Sequence, residues 1–331
     1  MRLFRFMALL AFLPLVGVSQ PIETPSPDRI SIAVVPKGTN EEVWRAIHAG
    51  AIKARNELKE EGIELEILWK DSSSILRREQ EIQVVDTYTG QRLSGILVAS
   101  LDREKLEEPV RVDAVSKLPT VFINAALDAD QAISYVATDN FNAGVAGADR
   151  IAQLIDEVGN VIVFRDKIGD INAEAHEAGF IERIKLKYPS IRLISMDRHA
   201  GTTYEGAYDA SEYLLNRYGR RVNAVYASSE LGTRSMLTAL RDFQLAGQVY
   251  LVGSGADEQV VSAIRSGEVH GVIVSNPFRM GYLGVTTLVD HIQGRTIPTV
   301  VDSEITMITL GNLDTDEIVE LLNPPISDYL D

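Results

Sequence analysis

The side chains able to do chemistry here are mostly hydrogen-bonding groups at the ends of apolar runs, with one well-placed indole. Trp44 follows the first apolar run after a short loop. An indole is a flat apolar platform on which a sugar or another ring can stack, and it is equally a core aromatic. Asn40 lies in the same loop; its amide both donates and accepts, which suits a hydroxyl-rich ligand, or it caps the helix that follows. Ser100 and Asp102 end the run SGILVAS, where a carboxylate can accept hydrogen bonds from ligand hydroxyls or cap the next segment. Asp139 and Asn140 stand where one set of elements gives way to the next, and read as hinge, cap or contact.

Covalent and metal chemistry lack their local signatures. There is no G-x-G-x-x-G after a strand, no phosphate-binding G-x-x-x-x-G-K-S/T, no G-x-S-x-G elbow and no H-E-x-x-H. The five histidines, 48, 176, 199, 270 and 291, show no ligand spacing, and there is no cysteine. A hydrolase would need only a pair of acids brought together by folding, but nothing local supports one. On these residues neither an enzyme nor a cofactor is expected.

The elements that must position these groups follow from length and pattern. The chain has 331 residues, 45% of them hydrophobic, with a formal net charge of -15. That length suits about two domains. The acidic balance, without a basic stripe, argues against nucleic acid and anionic membrane surfaces. Residues 1–19 carry two arginines, an apolar run and then small residues, the order of a secretory signal peptide cut after Ser19. The run is shorter than the roughly 20 residues that span a bilayer, so the mature protein is expected to be exported and soluble. Residues 20–28, rich in proline, read as a linker.

From residue 29 short apolar runs alternate with amphipathic ones. RISIAVVP, IELEILWK, SGILVAS and LPTVFINA read as strands, with helices over 41–61 and 74–87 and a partly helical 105–116. A second set follows: NVIVFRD, IRLISMDR, VNAVYAS, QVYLVGSG and GVIVSN as strands, with helices over 142–158, 172–188, 204–218, 231–243 and 257–266. Strands separated by helices imply βαβ units, parallel sheets and an α/β class. Such sheets hold ligands outside the carboxyl ends of their strands.

Taken in order, IAVVPKGTNEEVWRAIHAGAIKA, GILVASLD, PTVFINAALD, YVATDNFNAGVAGADRIA, AEAHEAGF, VNAVYASSELGTRSMLTAL, GVIVSNPFRMGYLGV and VVDSEITMITLGNLDTDEIVELLNP resemble the type I periplasmic binding proteins, near the ribose- and sugar-binding branch. The resemblance covers nearly all of the chain after residue 29. It implies two Rossmann-like lobes with parallel sheets, joined by three crossover segments near 138–140, 276–278 and 301–303. Lobe one would hold 29–138 plus 277–301, lobe two 139–276 plus 302–325, and 326–331 would form a tail. It also implies closure around a small polar solute, a sugar or a polyol. The partner would be the membrane permease of an ABC importer or, alternatively, a sensor histidine kinase, and nucleic acid is not expected.

Carried over residue by residue, the resemblance adds Asn124, Glu174, Ser229, Glu230, Asp257, Ser275 and Asn276 to Asn40, Trp44, Ser100, Asp102 and Asp139 as expected ligand contacts. Several depart from the family's pattern. Asn124 and Ala125 stand where an Asp–Arg pair is usual, and Glu174 and His176 where arginines are usual. His176 reads equally as a surface residue. Gly255 stands where an aspartate is common, with Asp257 two residues on. These departures leave the fold reading intact but remove any assignment to ribose, galactose or xylose.

Overall fold

A computed structural model describes residues 29–36, 41–69, 93–99, 118–123 and 132–330. The expected leader, linker and helices over 74–87 and 105–116 lie outside these residues, as do Asn40, Ser100, Asp102 and Asn124.

Two six-stranded sheets organise the molecule. The first contains β1 (Arg29–Val35), β2 (Glu64–Trp69), β3 (Gly95–Ala99), β4 (Thr120–Ile123), β5 (Ser134–Ala137) and β11 (Val300–Asp302), in the order β11-β5-β4-β3-β1-β2. All its pairs are parallel. The second contains β6 (Gly159–Arg165), β7 (Ile191–His199), β8 (Ala224–Ala227), β9 (Tyr250–Ser254), β10 (Gly271–Ser275) and β12 (Ile305–Ile308), in the order β12-β10-β9-β8-β6-β7. Only the β10–β12 pair is antiparallel. The two orders are the same pattern repeated, five strands in sequence and a sixth added from the late part of the chain.

Buried residues cover both faces of each sheet, as the near-continuous apolar strands require. In lobe one Ile32, Val34, Leu97, Val121 and Ile123 face one way with Ile47 and Leu288, while Ala33, Val35, Ile96, Val98 and Phe122 form a cluster apart from them. Lobe two likewise has one cluster around Ile162, Phe164, Val225 and Leu251 and another around Val161, Val163, Phe180 and Tyr226.

In each lobe two helices approach backbone to backbone at glycines. α1 (Glu41–Glu60) crosses α7 (Pro277–Ile292) in lobe one, and α2 (Asn140–Leu154) crosses α3 (Ile171–Lys187) in lobe two. A Cβ on Gly50 would lie 1.9 Å from the Phe278 carbonyl oxygen, and one on Gly281 1.9 Å from that of Ile47. A Cβ on Gly144 would lie 1.9 Å from the His176 oxygen, and one on Gly179 2.0 Å from that of Phe141. Each crossing therefore uses a reciprocal pair of glycines, and backbone cannot yield to an added methyl.

The remaining helices are α4 (Tyr204–Tyr218), α5 (Glu230–Asp242), α6 (Glu258–Arg265) and α8 (Asp316–Leu322). The crossover segments are tied to one another. Ser303 N–H donates to the Ala137 carbonyl at 3.1 Å, and the Thr138 and Ser303 hydroxyls lie 3.3 Å apart. Arg279, in the first turn of α7, pairs with Glu304 at 2.9 Å. The chain then returns to lobe one. After α8, whose Ile318 lies in the lobe-two core, a 3₁₀ turn at Ile326–Asp328 lies against α1, and Tyr329 meets the Phe278 ring at 5.7 Å between centroids. No helix among the described residues is long and apolar enough to cross a membrane.

Gly281→Ala should lower unfolding stability by about 3 kcal/mol, the upper end for overpacking, because a carbonyl oxygen occupies the new methyl's place. Urea denaturation checks this; a loss under half that size would show that the α1–α7 crossing opens freely.

Candidate functional site

In a parallel α/β sheet every helix begins beside the carboxyl end of a strand, so the groups capping helices and those facing a ligand come from the same loops. Lobe two shows this repeatedly. Asp139 caps α2, its Oδ1 accepting from Asn142 N–H at 2.9 Å and its Oδ2 from the Asn142 amide at 2.7 Å. Ser229 caps α5 through Gly232 N–H at 3.2 Å, Asp257 caps α6 through Val260 N–H at 2.8 Å, and Asn276 caps α7 through Arg279 N–H at 2.9 Å. Both Asp139 oxygens accept from Asn142, so this carboxylate caps α2. Asp257 has one oxygen beyond its cap, and that oxygen meets Arg234 at 2.9 Å.

The strand order marks one place as special. From β6 the chain passes to β7 on one side and then to β8 on the other. The loops leaving β6 and β8 diverge there, opening a crevice at the carboxyl ends of those strands. Asp166 follows β6, and Ser228, Ser229 and Glu230 follow β8.

A buried polar network holds this crevice in shape. Glu177, 2% exposed, pairs with Arg165 and accepts from Asp166 N–H at 3.0 Å and from the Ser228 hydroxyl at 2.8 Å. His199 Nδ1 lies 2.7 Å from the Asp166 carbonyl oxygen. Burial raises the Asp166 carboxyl above its usual range, opposed by hydrogen bonds from the Lys167 backbone and the Ser229 hydroxyl. Glu230 keeps access to solvent, yet its carboxyl is also raised, first by the surrounding protein and then by the Asp257 charge. Arg234 opposes this, and Glu42 adds to it. Glu42 belongs to α1 of lobe one, so charges of the two lobes face each other across the gap.

The structure thus brings Ser229, Glu230 and Asp257 together at adjacent strand ends. Asp139, Ser275 and Asn276 lie instead at the crossovers, and Ser275 is exposed. Glu174 is exposed in the first turn of α3, where its Oε1 accepts from Gly169 N–H at 3.3 Å. Trp44 is 7% exposed and belongs to the lobe-one cluster with Ile30, Ile47 and Met280, so most of its ring is committed to packing. Asp166, Glu177 and Ser228 escaped the sequence reading. Asp166 ends NVIVFRD just as Ser100 ends SGILVAS, and that position was the available signal.

The surface reading of His176 is corrected. The ring is 6% exposed and meets Tyr226 edge-on at 5.5 Å, because α2 presses against α3 through glycines and covers it. Among the described residues no group of three or more His, Asp or Glu is placed to hold a metal ion.

A family model described as Periplasmic binding protein domain matches residues 32–296. The chain belongs to this family, and its two α/β lobes with linked crossovers are of the type I form. It is similar to the xylitol-binding protein of Mycolicibacterium smegmatis, 22% identical over 212 residues, which is 64% of this chain and 59% of that protein's length. It is similar also to the ribose import binding protein of Haemophilus influenzae, 23% identical over 299 residues, 89% of this chain and 96% of that one. Among solved structures it shares its fold with a carbohydrate transporter solute binding protein from Agrobacterium radiobacter in complex with D-arabinose. There the TM-score is 0.71 at 22% identity, over 90% of this chain and 100% of that one. An ABC transporter solute binding protein from Agrobacterium vitis bound with alpha-D-tagatopyranose gives 0.73 at 20% identity, over 91% and 100%.

Burial lowers the His176 pKa to about 4 from its ordinary 6.5. The unfolded chain therefore takes up the proton first, so the stability from neutral His176 is full above pH 6.5 and is lost as pH falls to about 4. The loss is on the order of 3 kcal/mol. Asp166 and Glu230 act with the opposite sign, since raised carboxyls favour protonation in the folded state. The difference in stability between wild type and His176→Asn should therefore narrow or reverse between pH 6.5 and 4, as read by denaturant titration at each pH. A constant difference would show that the ring titrates normally.

Proposed function

We propose that this protein is a periplasmic solute receptor that closes its lobes around a small polyhydroxylated ligand, a sugar or polyol, and delivers it to the permease of an ABC importer. The observation that carries this reading is the cluster of Asp166, Ser229 and Glu230 at the ends of β6 and β8, where the Ser229 hydroxyl donates to Asp166. These groups accept and donate hydrogen bonds, which suits recognition of hydroxyls. The relatives named for xylitol and ribose support a polyhydroxylated ligand. The secretory leader expected over residues 1–19 supports the compartment. We assign the lobe-two contacts to Asp166, Ser229, Glu230 and Asp257. Asn40, Ser100, Asp102 and Asn124 would face them from lobe one, and Trp44 at most through a ring edge. Asp139, Ser275 and Asn276 would set the angle of the lobes, and Glu174 would lie at the rim.

A thermal-shift screen of pentoses, hexoses, polyols and amino acids tests the reading, because a ligand that binds the folded state raises its stability by about 2.7 kcal/mol at a hundred times Kd. The expected result is a saturable rise with a polyhydroxylated compound and none with simple amino acids. The reverse would overturn the ligand class. For the ligand so found, Asp166→Ala should weaken binding by roughly 1.5–3 kcal/mol in calorimetry, the range for hydrogen bonds to a charged group. Unchanged affinity would remove Asp166 from the site.

A further inference from the structure

Gly255 follows β9 with φ of +79°, and a Cβ there would fall 2.7 Å from both Cβ and Cγ of Glu230 and 3.2 Å from its Oε2. The Glu230 side chain therefore lies across the Gly255 backbone, reaching from the end of β8 over the end of the neighbouring β9. No residue with a side chain fits at 255 while Glu230 keeps this place. The glutamate is thus seated by its stem and is not free to swing as a surface acid would.

Its electrostatic surroundings are uneven. Asp257 lies on one side, and Glu42 faces it from lobe one. Among the described residues the cation that offsets them is Arg234, whose Nε lies 2.9 Å from Asp257. Among the described residues Glu230 makes no ion pair of its own. The Asp257 and Glu42 charges both bear on Glu230, and charges act over longer range where protein replaces water. A neutral hydroxyl donates one hydrogen bond and leaves this repulsion in place. A protonated amine donates up to three and cancels it.

We propose that Glu230 is a specificity-determining residue that selects a ligand bearing a protonated amine, an amino sugar or amino polyol, over its neutral counterpart. The proposal rests on the reading of the cleft as a polyhydroxylated-solute site, and it adds the charge of that solute. Gly255 belongs to the same device, since it vacates the space that the glutamate fills. The amine pairs with Glu230, and Glu42 of lobe one adds to the negative field that the amine meets.

Calorimetry on the full chain with matched pairs tests this: glucosamine against glucose, galactosamine against galactose, and 1-amino-1-deoxysorbitol against sorbitol. At least one amine should bind the wild type about tenfold or more tightly than its neutral partner. That preference should shrink as salt rises and should fall to near unity in Glu230→Gln, whose melting temperature checks that the fold is kept. Glu230→Asp, with a shorter stem, should retain part of it. Equal or tighter binding of the neutral members, or a preference that survives Glu230→Gln, overturns the proposal. So does failure of every amine to bind. If neutral sugars or polyols bind while amines do not, the amine proposal fails and the solute-receptor reading stands. If nothing in the wider screen protects the fold, that reading fails as well.

Discussion

In each lobe two helices touch backbone to backbone, at Gly50 and Gly281 in one and at Gly144 and Gly179 in the other, and much of the geometry depends on these contacts. The first crossing sets the carbonyl of Phe278, at the start of α7, against Gly50 of α1. The segment entering lobe one is therefore clamped within three residues of leaving β10. Between the paired Ser275 of β10 and Pro277 of α7 only Asn276 lies outside both elements. The second crossing has the same effect at Phe141, just after the first crossover, whose carbonyl lies against Gly179. Rigid lobes with short bendable joints are what a hinge needs, and here the rigidity comes from the absence of side chains at two points in each lobe.

The recognition surface inherits its position from the same layout. Glu177 rises from α3 and holds Arg165, Asp166 N–H and the Ser228 hydroxyl together. Three polar partners satisfy one buried carboxylate, so the network carries little desolvation penalty and holds the loops that diverge from β6 and β8. Asp166, half-buried, and Glu230, exposed, stand on this framework.

Much of the fold was legible in the sequence because its signal is periodic. The helix read over 41–61 is Glu41–Glu60, and every strand of the second set falls where an apolar run predicts it. The errors come from effects that periodicity does not carry. The helix read over 142–158 runs Asn140–Leu154, because Asp139 supplies the cap and Asp156 and Glu157 turn to positive φ, ending it early. β12 pairs antiparallel with β10 at the sheet edge, a tertiary choice with no local mark in ITMI. At the site, the acids at strand ends could be named, but not which of their oxygens the helix caps already use. That Glu230 lies over Gly255, or that His176 is covered by α2, depends on contacts between segments distant in the chain or on facing side chains of neighbouring loops.

The return of the chain to lobe one has a mechanical consequence. Beyond α8, Pro324 and Pro325 lead to the turn at Ile326–Asp328, and Tyr329 rests on the Phe278 ring. Counted with the three crossovers, this makes four ties between the same two bodies, attached at separate points. Two bodies joined in this way resist torsion about their long axis and keep one soft coordinate, the opening angle. Interaction energy gained in the cleft is then converted into that single rotation, and the outer surfaces of the lobes present one reproducible spacing for each angle.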